Sequence, residues 1–243
     1  MKANPLKIIF VDEHIIVSEK PSGMLSIPDR FDLEKPNVYH QLEAEFGQVW
    51  IVHRIDRETS GILVFARNEE AHRLLNQQFL ERTVEKIYLA LVEGRPMPPT
   101  GEINKAIAPH PSILGKMIAS GKGKSALTLY KVVDTFKAFS LVEADIKTGR
   151  THQIRVHFAT IGHPLVVDPM YGKRAAFNLS EVKMRNYNLS KAQDEERPLV
   201  SRLTLHAHKL TLDHPATGER MEFVCELPKD FRALLSQLEK WGR

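Results

Sequence analysis

Seven polar side chains crowd the segment His53-Arg54-Ile55-Asp56-Arg57-Glu58-Thr59-Ser60-Gly61, which runs straight into the apolar stretch Ile62-Leu63-Val64-Phe65-Ala66. A loop that feeds a buried strand presents its side chains from a rigid base, a common setting for reactive groups. Asp56 stands close to Arg54 and Arg57, two cations that favour an ionised carboxylate. Such a carboxylate can serve as a nucleophile or as a general base. The same spacing also suits a turn aspartate between two solvated arginines, and spacing alone does not separate the two.

A second dense segment is Lys147-Thr148-Gly149-Arg150-Thr151-His152-Gln153-Ile154-Arg155-Val156-His157-Phe158. On a helix capped by Thr151, His152 and Arg155 stand at i, i+3 and share a face. Arg150 lies beside the helix N-terminus, where main-chain N–H groups attract anions. An arginine there can grip a phosphate or hold a carboxylate through two parallel bonds. His152 and His157 are five apart, which misses the i, i+4 spacing of a zinc helix. A single cysteine, Cys225, excludes a cysteine-rich zinc site and an internal disulfide. His206 and His208 share a strand face with no third ligand in view, so no metal is expected. Tyr88, in Lys86-Ile87-Tyr88, belongs to a strand, where its ring is core unless a partner reaches the hydroxyl.

Other matches fail. Gly121-Lys122-Gly123-Lys124-Ser125 looks like the end of a phosphate loop, yet Ile118 fills the place of the opening glycine. No Gly-x-Gly-x-x-Gly fingerprint occurs, and Ser60 lacks a nucleophile elbow. Neither a nucleotide nor a redox cofactor is expected.

The elements that must carry these groups follow from patterning. Residues 6–18 read as two short strands around Asp12-Glu13, and residues 20–28 as a loop broken by Pro and Gly. Val38 to Phe46 reads as a short helix ended by Gly47. Gly61 to Arg67 is a strand, and Asn68 caps a helix with Glu69 and Glu70 in its first turn and Leu74, Leu75 and Phe79 on its apolar face. Val84 to Gly94 is again strand, and Pro96 to Gly123 hairpins and loops. Ala126 to Asp134 pairs with Phe139 to Ile146, and the helix after Thr151 stops at Gly162-His163-Pro164. Residues 173–200 read as a surface insertion. Leu203 to Leu212 and Met221 to Leu227 are strands, and Phe231 to Trp241 closes the chain as a helix. This describes one α+β domain over 1–243 with mostly antiparallel strands.

Composition narrows the class. With 42% hydrophobic and 26% charged residues, the chain is globular and neither disordered nor fibrous. No apolar run approaches the ~20 residues of a membrane span, and the N-terminus has no apolar signal core. A cytoplasmic, membrane-free protein is expected. The net charge is +4, and residues 116–175 hold ten Lys/Arg against four Asp/Glu. The whole positive excess lies in that quarter of the chain, the pattern of a polyanion-binding face or of a lysine-rich solvated surface.

Taken in order, these segments resemble the RluA-type pseudouridine synthases. His53-Arg54-Ile55-Asp56 with Thr59-Ser60-Gly61 is similar to the family's catalytic-aspartate motif, Lys86-Ile87-Tyr88 to its tyrosine motif, and Gly149 to His157 to its arginine motif. Gly162-His163-Pro164-Leu165 through Asp168 and Tyr171-Gly172 follows as in the family, and Lys20-Pro21-Ser22-Gly23 with Pro28 matches its N-terminal loop. Ile55 replaces a leucine, a volume-conserving change. Val167 stands where a glycine often precedes the aspartate.

The resemblance implies a mixed, mostly antiparallel bent sheet flanked by helices and loops, without the S4 RNA-binding domain of many relatives. It implies breakage of the C1′–N1 bond of a uridine in RNA, rotation of the base, and rejoining through C5. Atoms and mass are conserved, so no cofactor is needed. Asp56 takes the catalytic carboxylate's role, Arg155 pairs with it, and Tyr88 lies against the target base. Arg54 fills the place vacated by the everted uridine, a movement that costs a few kcal/mol. His53, Arg150 and His152 are implied RNA contacts, and the basic stretch a grip on phosphates. The partners are ribosomal or transfer RNA stem-loops, and a monomer is the default. A non-catalytic RNA-binding protein with the same fold is the alternative, though it would be free to lose Asp56. A hydrolase using Asp56 with Glu58 ranks below both, since no cleft-lining aromatics accompany the pair.

Overall fold

The computed structural model describes residues 6–183 and 196–242. In chain order the first elements are β1 (Lys7–Val11), β2 (Ile15–Lys20), α1 (Val38–Phe46), β3 (Trp50–Ile51), β4 (Ser60–Ala66), α2 (Glu69–Glu81) and β5 (Glu85–Glu93). There follow β6 (Thr100–Asn104), β7 (Ile107–Pro109), β8 (Met117–Ala119), β9 (Leu127–Thr135), β10 (Phe139–Ile146) and α3 (Gln153–Thr160). The last are β11 (Leu205–Asp213), β12 (Arg220–Val224) and α4 (Lys229–Trp241). They form two compact units, Met1–Tyr88 with His206–Glu226, and Leu89–Leu205 with Leu227–Arg243. Both rest on mostly antiparallel β-structure with few helices.

In the first unit β4 is the organising strand, and all seven of its residues are buried. It pairs antiparallel with β2, from Ile15↔Ala66 to Lys20↔Gly61, and parallel with β11 through His206↔Ser60 and Ala207↔Gly61. Such two-sided pairing suits an uninterrupted apolar run. The expected turn at Asp12-Glu13 forms because the Asp12 carboxylate accepts the N–H groups of His14 and Ile15. α2 starts where its cap residue predicts: Asn68 Oδ1 accepts the Ala71 N–H at 2.8 Å. Its Ala71 and Leu75 pack with Ile62, Val64, Leu210, Leu212 and Phe223.

In the second unit the strand order is β5-β10-β9-β6, with β7 and β8 forming a separate hairpin. β9 and β10 pair from Ser140↔Thr135 to Ile146↔Thr128. α4 begins at Lys229, two residues before the expected start, and drives Phe231, Leu234 and Leu238 into a core with Leu91, Phe139 and Phe177. Phe177 and Val200 are buried and bridged, so the ends of the stretch expected as a surface insertion are anchored in that core. Its residues 184–195 lie outside the described residues. Among the described residues, no helix is long and apolar enough to cross a membrane.

The start of α3 departs from the expectation. Thr151 does not cap it; His152 occupies the cap position with φ 56°, in the left-handed region. The Gln153 amide does part of the capping work. Its Oε1 accepts the Arg150 N–H and the Thr148 hydroxyl, and its Nε2 donates to the Leu127 carbonyl. The chain therefore enters the helix through a tertiary anchor on β9.

Candidate active site

The Asp56 loop is clamped from below. Ser26 Oγ accepts the Ile55 N–H at 3.1 Å and donates to the Ile55 carbonyl at 2.8 Å. Ser22 Oγ donates to the Glu58 carbonyl, and the Gly23 N–H to that of Arg57. A turn closes from the Thr59 N–H to the Asp56 carbonyl. The loop thus takes its shape from residues 22–26, and Asp56, half-buried, is its apex.

Lys20 is the centre of that clamp, and sequence reasoning missed its role. It is 0% exposed, and its ammonium donates to the carbonyls of Pro21, Met24 and Arg57 at 2.9, 2.7 and 2.7 Å. Burial pulls its pKa down to about 7, against the opposing charges of Glu58 and Asp56. Three acceptors require three N–H donors, and only the protonated amine has them. The signal in the sequence was a lone lysine ending an apolar strand just before Pro-Ser-Gly.

Tyr88 is 8% exposed. Burial raises the pKa of its phenol, and the Asp56 carboxylate raises it further, so at neutral pH the hydroxyl keeps its proton. Arg54 is exposed. His53 stacks on Phe79 with ring centroids 4.8 Å apart, and its Nε2 accepts the Val64 N–H. Burial, then the charge of Lys86, push its pKa down to about 3. The ring is therefore neutral and braces the loop against β4. His206 and His208 sit on one strand as bonded histidines: His206 meets Ser60 Oγ and the Cys225 carbonyl, and His208 meets the same carbonyl.

The arginine segment belongs to the second unit. Arg155 is 5% exposed and holds Asp168 through two parallel bonds of 2.8 Å, from Nε and Nη2. Asp168 also accepts the N–H groups of Met170 and Tyr171. The Tyr171 ring lies against the guanidinium at 4.9 Å, and its hydroxyl meets His152 Nδ1 and accepts the Met117 N–H. Asp168 entered the sequence reading only as the tail of a motif, and a carboxylate directly after Leu165-Val166-Val167 was the overlooked sign of a buried ion pair. Arg150 donates from Nε to the Ser125 carbonyl at 3.0 Å and remains partly exposed. The structure thus brings Asp56 and Tyr88 near one another in the first unit, with His53 and Arg54 on the same loop. In the second, it joins His152, Tyr171, Arg155 and Asp168.

A family model described as RNA pseudouridylate synthase matches residues 14–160. Over 240 residues the chain is 39% identical to ribosomal large subunit pseudouridine synthase D of Pseudomonas aeruginosa, covering 97% of this chain and 72% of that one. It is 37% identical over 229 residues to dual-specificity RNA pseudouridine synthase RluA of Escherichia coli, covering 93% and 94%. Among solved structures, human RNA pseudouridylate synthase domain containing 4 aligns with a TM-score of 0.73 at 27% identity, covering 96% of this chain and 93% of that one.

Proposed function

We infer that this chain, which belongs to the RluA-type family of RNA pseudouridine synthases, converts particular uridines of ribosomal or transfer RNA stem-loops to pseudouridine by means of Asp56. The observation that carries the assignment is the Asp56 carboxylate beside a protonated Tyr88, on a loop braced by Lys20 and Ser26. The C1′–N1 bond of the uridine breaks, the uracil turns, and a C5–C1′ bond forms while the C5 proton moves to nitrogen. Asp56 serves at C1′ as nucleophile or at C2′ as base. Tyr88, uncharged, offers the turning base a ring face and a hydroxyl.

Arg155 takes the role of the family's motif arginine, and Asp168 and Tyr171 fix the direction of its fork. Arg54 stacks in the space left by the everted uridine. Arg150 and His152 meet the RNA backbone. His53 supports the loop from inside. Large-subunit ribosomal RNA is the first substrate to try, because a relative 39% identical carries that name, and transfer RNA the second. The enzyme acts as a cytoplasmic monomer.

Asp56→Asn keeps the shape of the side chain and removes its charge. We expect it to abolish product on candidate stem-loops, read as carbodiimide adducts because the isomer has unchanged mass, while RNA affinity stays within about threefold. Equal modification by variant and wild type would remove Asp56 from the chemistry.

A further inference from the structure

Within the second unit, a pocket of about 430 Å³ opens between the β7–β8 hairpin and the loop that leads into α3. Its rim carries Lys122, Lys124 and Arg150, its walls include Ile107 and Met117, and no carboxylate lines it. We propose that it receives one nucleotide of the RNA outside the target uridine, phosphate against the three cations and sugar or base against the apolar wall. The proposal rests on the RNA-modifying reading above and adds a site to it.

Three of the basic residues in the 116–175 stretch are spent on carboxylates, whereas the cations on the pocket rim are not. Arg155 is committed to Asp168, Arg174 to Glu93 and Glu181, and Lys147 to Asp145. Lys122, Lys124 and Arg150 form no ion pair with a described carboxylate, and both lysines are exposed. Uncompensated cations around a concave surface raise the local concentration of a polyanion. The N-terminal dipole of α3, which starts three residues after Arg150, adds to the same field.

The rim is also held in place before any ligand arrives. Ile107 and Lys124 exchange backbone hydrogen bonds in both directions at 2.9 Å, and a turn closes from the Gly123 N–H to the Ser120 carbonyl. A side chain at Gly123 would collide with the backbone of Ile107 and Ala108, so a glycine lets the lysine turn lie flat on β7. Arg150 is tied through Nε to Ser125, and its Nη groups have no hydrogen-bond partner among the described residues. The volume falls in the range of sites for small organic ligands, roughly 300–1,000 Å³, well beyond a bare phosphate. Apolar wall and cationic rim together match a nucleotide, with its flat base and its charge at opposite ends.

The test compares wild type, Lys122→Gln/Lys124→Gln, and the control Lys131→Gln/Lys137→Gln, whose lysines are exposed on the same unit away from the pocket. Affinity for a large-subunit stem-loop is measured from 50 to 300 mM salt, with kcat and KM for pseudouridine formation and unfolding midpoints for all three. We expect the pocket variant to lose about tenfold in affinity and KM and to flatten the salt slope by about one to two, with kcat within twofold. The control should change affinity by less than threefold. Equal losses in both variants, or none in the pocket variant, would overturn the pocket while wild-type modification of RNA leaves the enzyme assignment standing. Absence of RNA binding by the wild type would sink both. Uridine 5′-monophosphate supplies the other arm: tight binding of it that the pocket substitutions abolish, with RNA affinity untouched, would mark a free-nucleotide site and refute the RNA contact.

Discussion

A lysine sealed beneath the Asp56 loop holds that loop through its main chain. Lys20 gathers three carbonyls, one of them 37 positions away on the arm that follows Asp56. Its charge is matched by main-chain oxygens and by the field of Glu58 and Asp56. Lys20→Met fills similar volume but leaves the Pro21 and Met24 carbonyls without a described donor, while the Arg57 carbonyl keeps only the Gly23 N–H, each buried acceptor left bare costing ~1–3 kcal/mol. We expect a loss of about 3 kcal/mol in urea unfolding and a fall in kcat larger than any change in RNA affinity, because the loop slackens around its apex. An unchanged unfolding midpoint would mean that water replaces the ammonium and that the clamp is ornamental. Thr59 adds a further sign of tension here: its buried hydroxyl has no hydrogen-bond partner among the described residues, an arrangement that costs stability unless another group uses it.

At the level of elements, the site depends on how closely β4 meets β11. Gly61 sits at φ 119°, and an added Cβ would land on the Ala207 carbonyl, so the parallel pairing at His206↔Ser60 and Ala207↔Gly61 exists only with a glycine there. Gly61→Ala should destabilise by more than about 4 kcal/mol, in the class of changes that combine strain with a backbone clash. It should appear as loss of soluble protein or of the cooperative melt, and a normal melt would contradict the pairing. This glycine was legible in sequence as part of a motif, but its physical reason lies 146 residues downstream. β4 and α2 could be read from Ile62–Ala66 and from Asn68 because burial and capping are local signals. The entry to α3 could not, because His152 adopts its left-handed cap position alongside a bond to the Tyr171 hydroxyl. The two-residue strand β3 was missed because its definition is pairing with Phe65 and Ala66 rather than any pattern of its own.

For the whole molecule, the acid limb of stability depends on histidines kept neutral in both units. His53 accepts the Val64 N–H, so protonating Nε2 would break that bond. His157 donates from Nε2 to the Lys105 carbonyl and accepts at Nδ1 from Thr128, whose oxygen is already taken as an acceptor by Gln153. Burial lowers the pKa of His53, His157 and His163 alike. A histidine whose folded pKa lies below its unfolded value of about 6.5 leaves stability intact above that value. As pH falls below it, the unfolded chain binds protons that the folded chain refuses, and stability declines until the folded pKa is reached, about 3 for His53. Asp12 and Asp230, whose pKa values are lowered, act in the same direction but only below about pH 4. The interval from 6.5 to 4.5 therefore isolates the histidines. On the alkaline side, burial raises the pKa of Tyr88 and takes Cys225 up to about 12. Their ionisation in the unfolded chain erodes stability above about pH 9. Lys20, held at about 7 against an unfolded value near 10.5, makes stability climb with pH between those values, and on the acid side His53 alone removes up to about 2 kcal/mol between pH 6.5 and 5, less what solvent returns to its half-buried ring. Urea unfolding at pH 8, 6 and 5 checks this. His53→Gln, whose amide oxygen can still accept from Val64, should flatten the acid slope. If wild type and variant lose stability in parallel, the neutral ring at His53 is wrong, and with it the view that this histidine braces the loop rather than titrates in it.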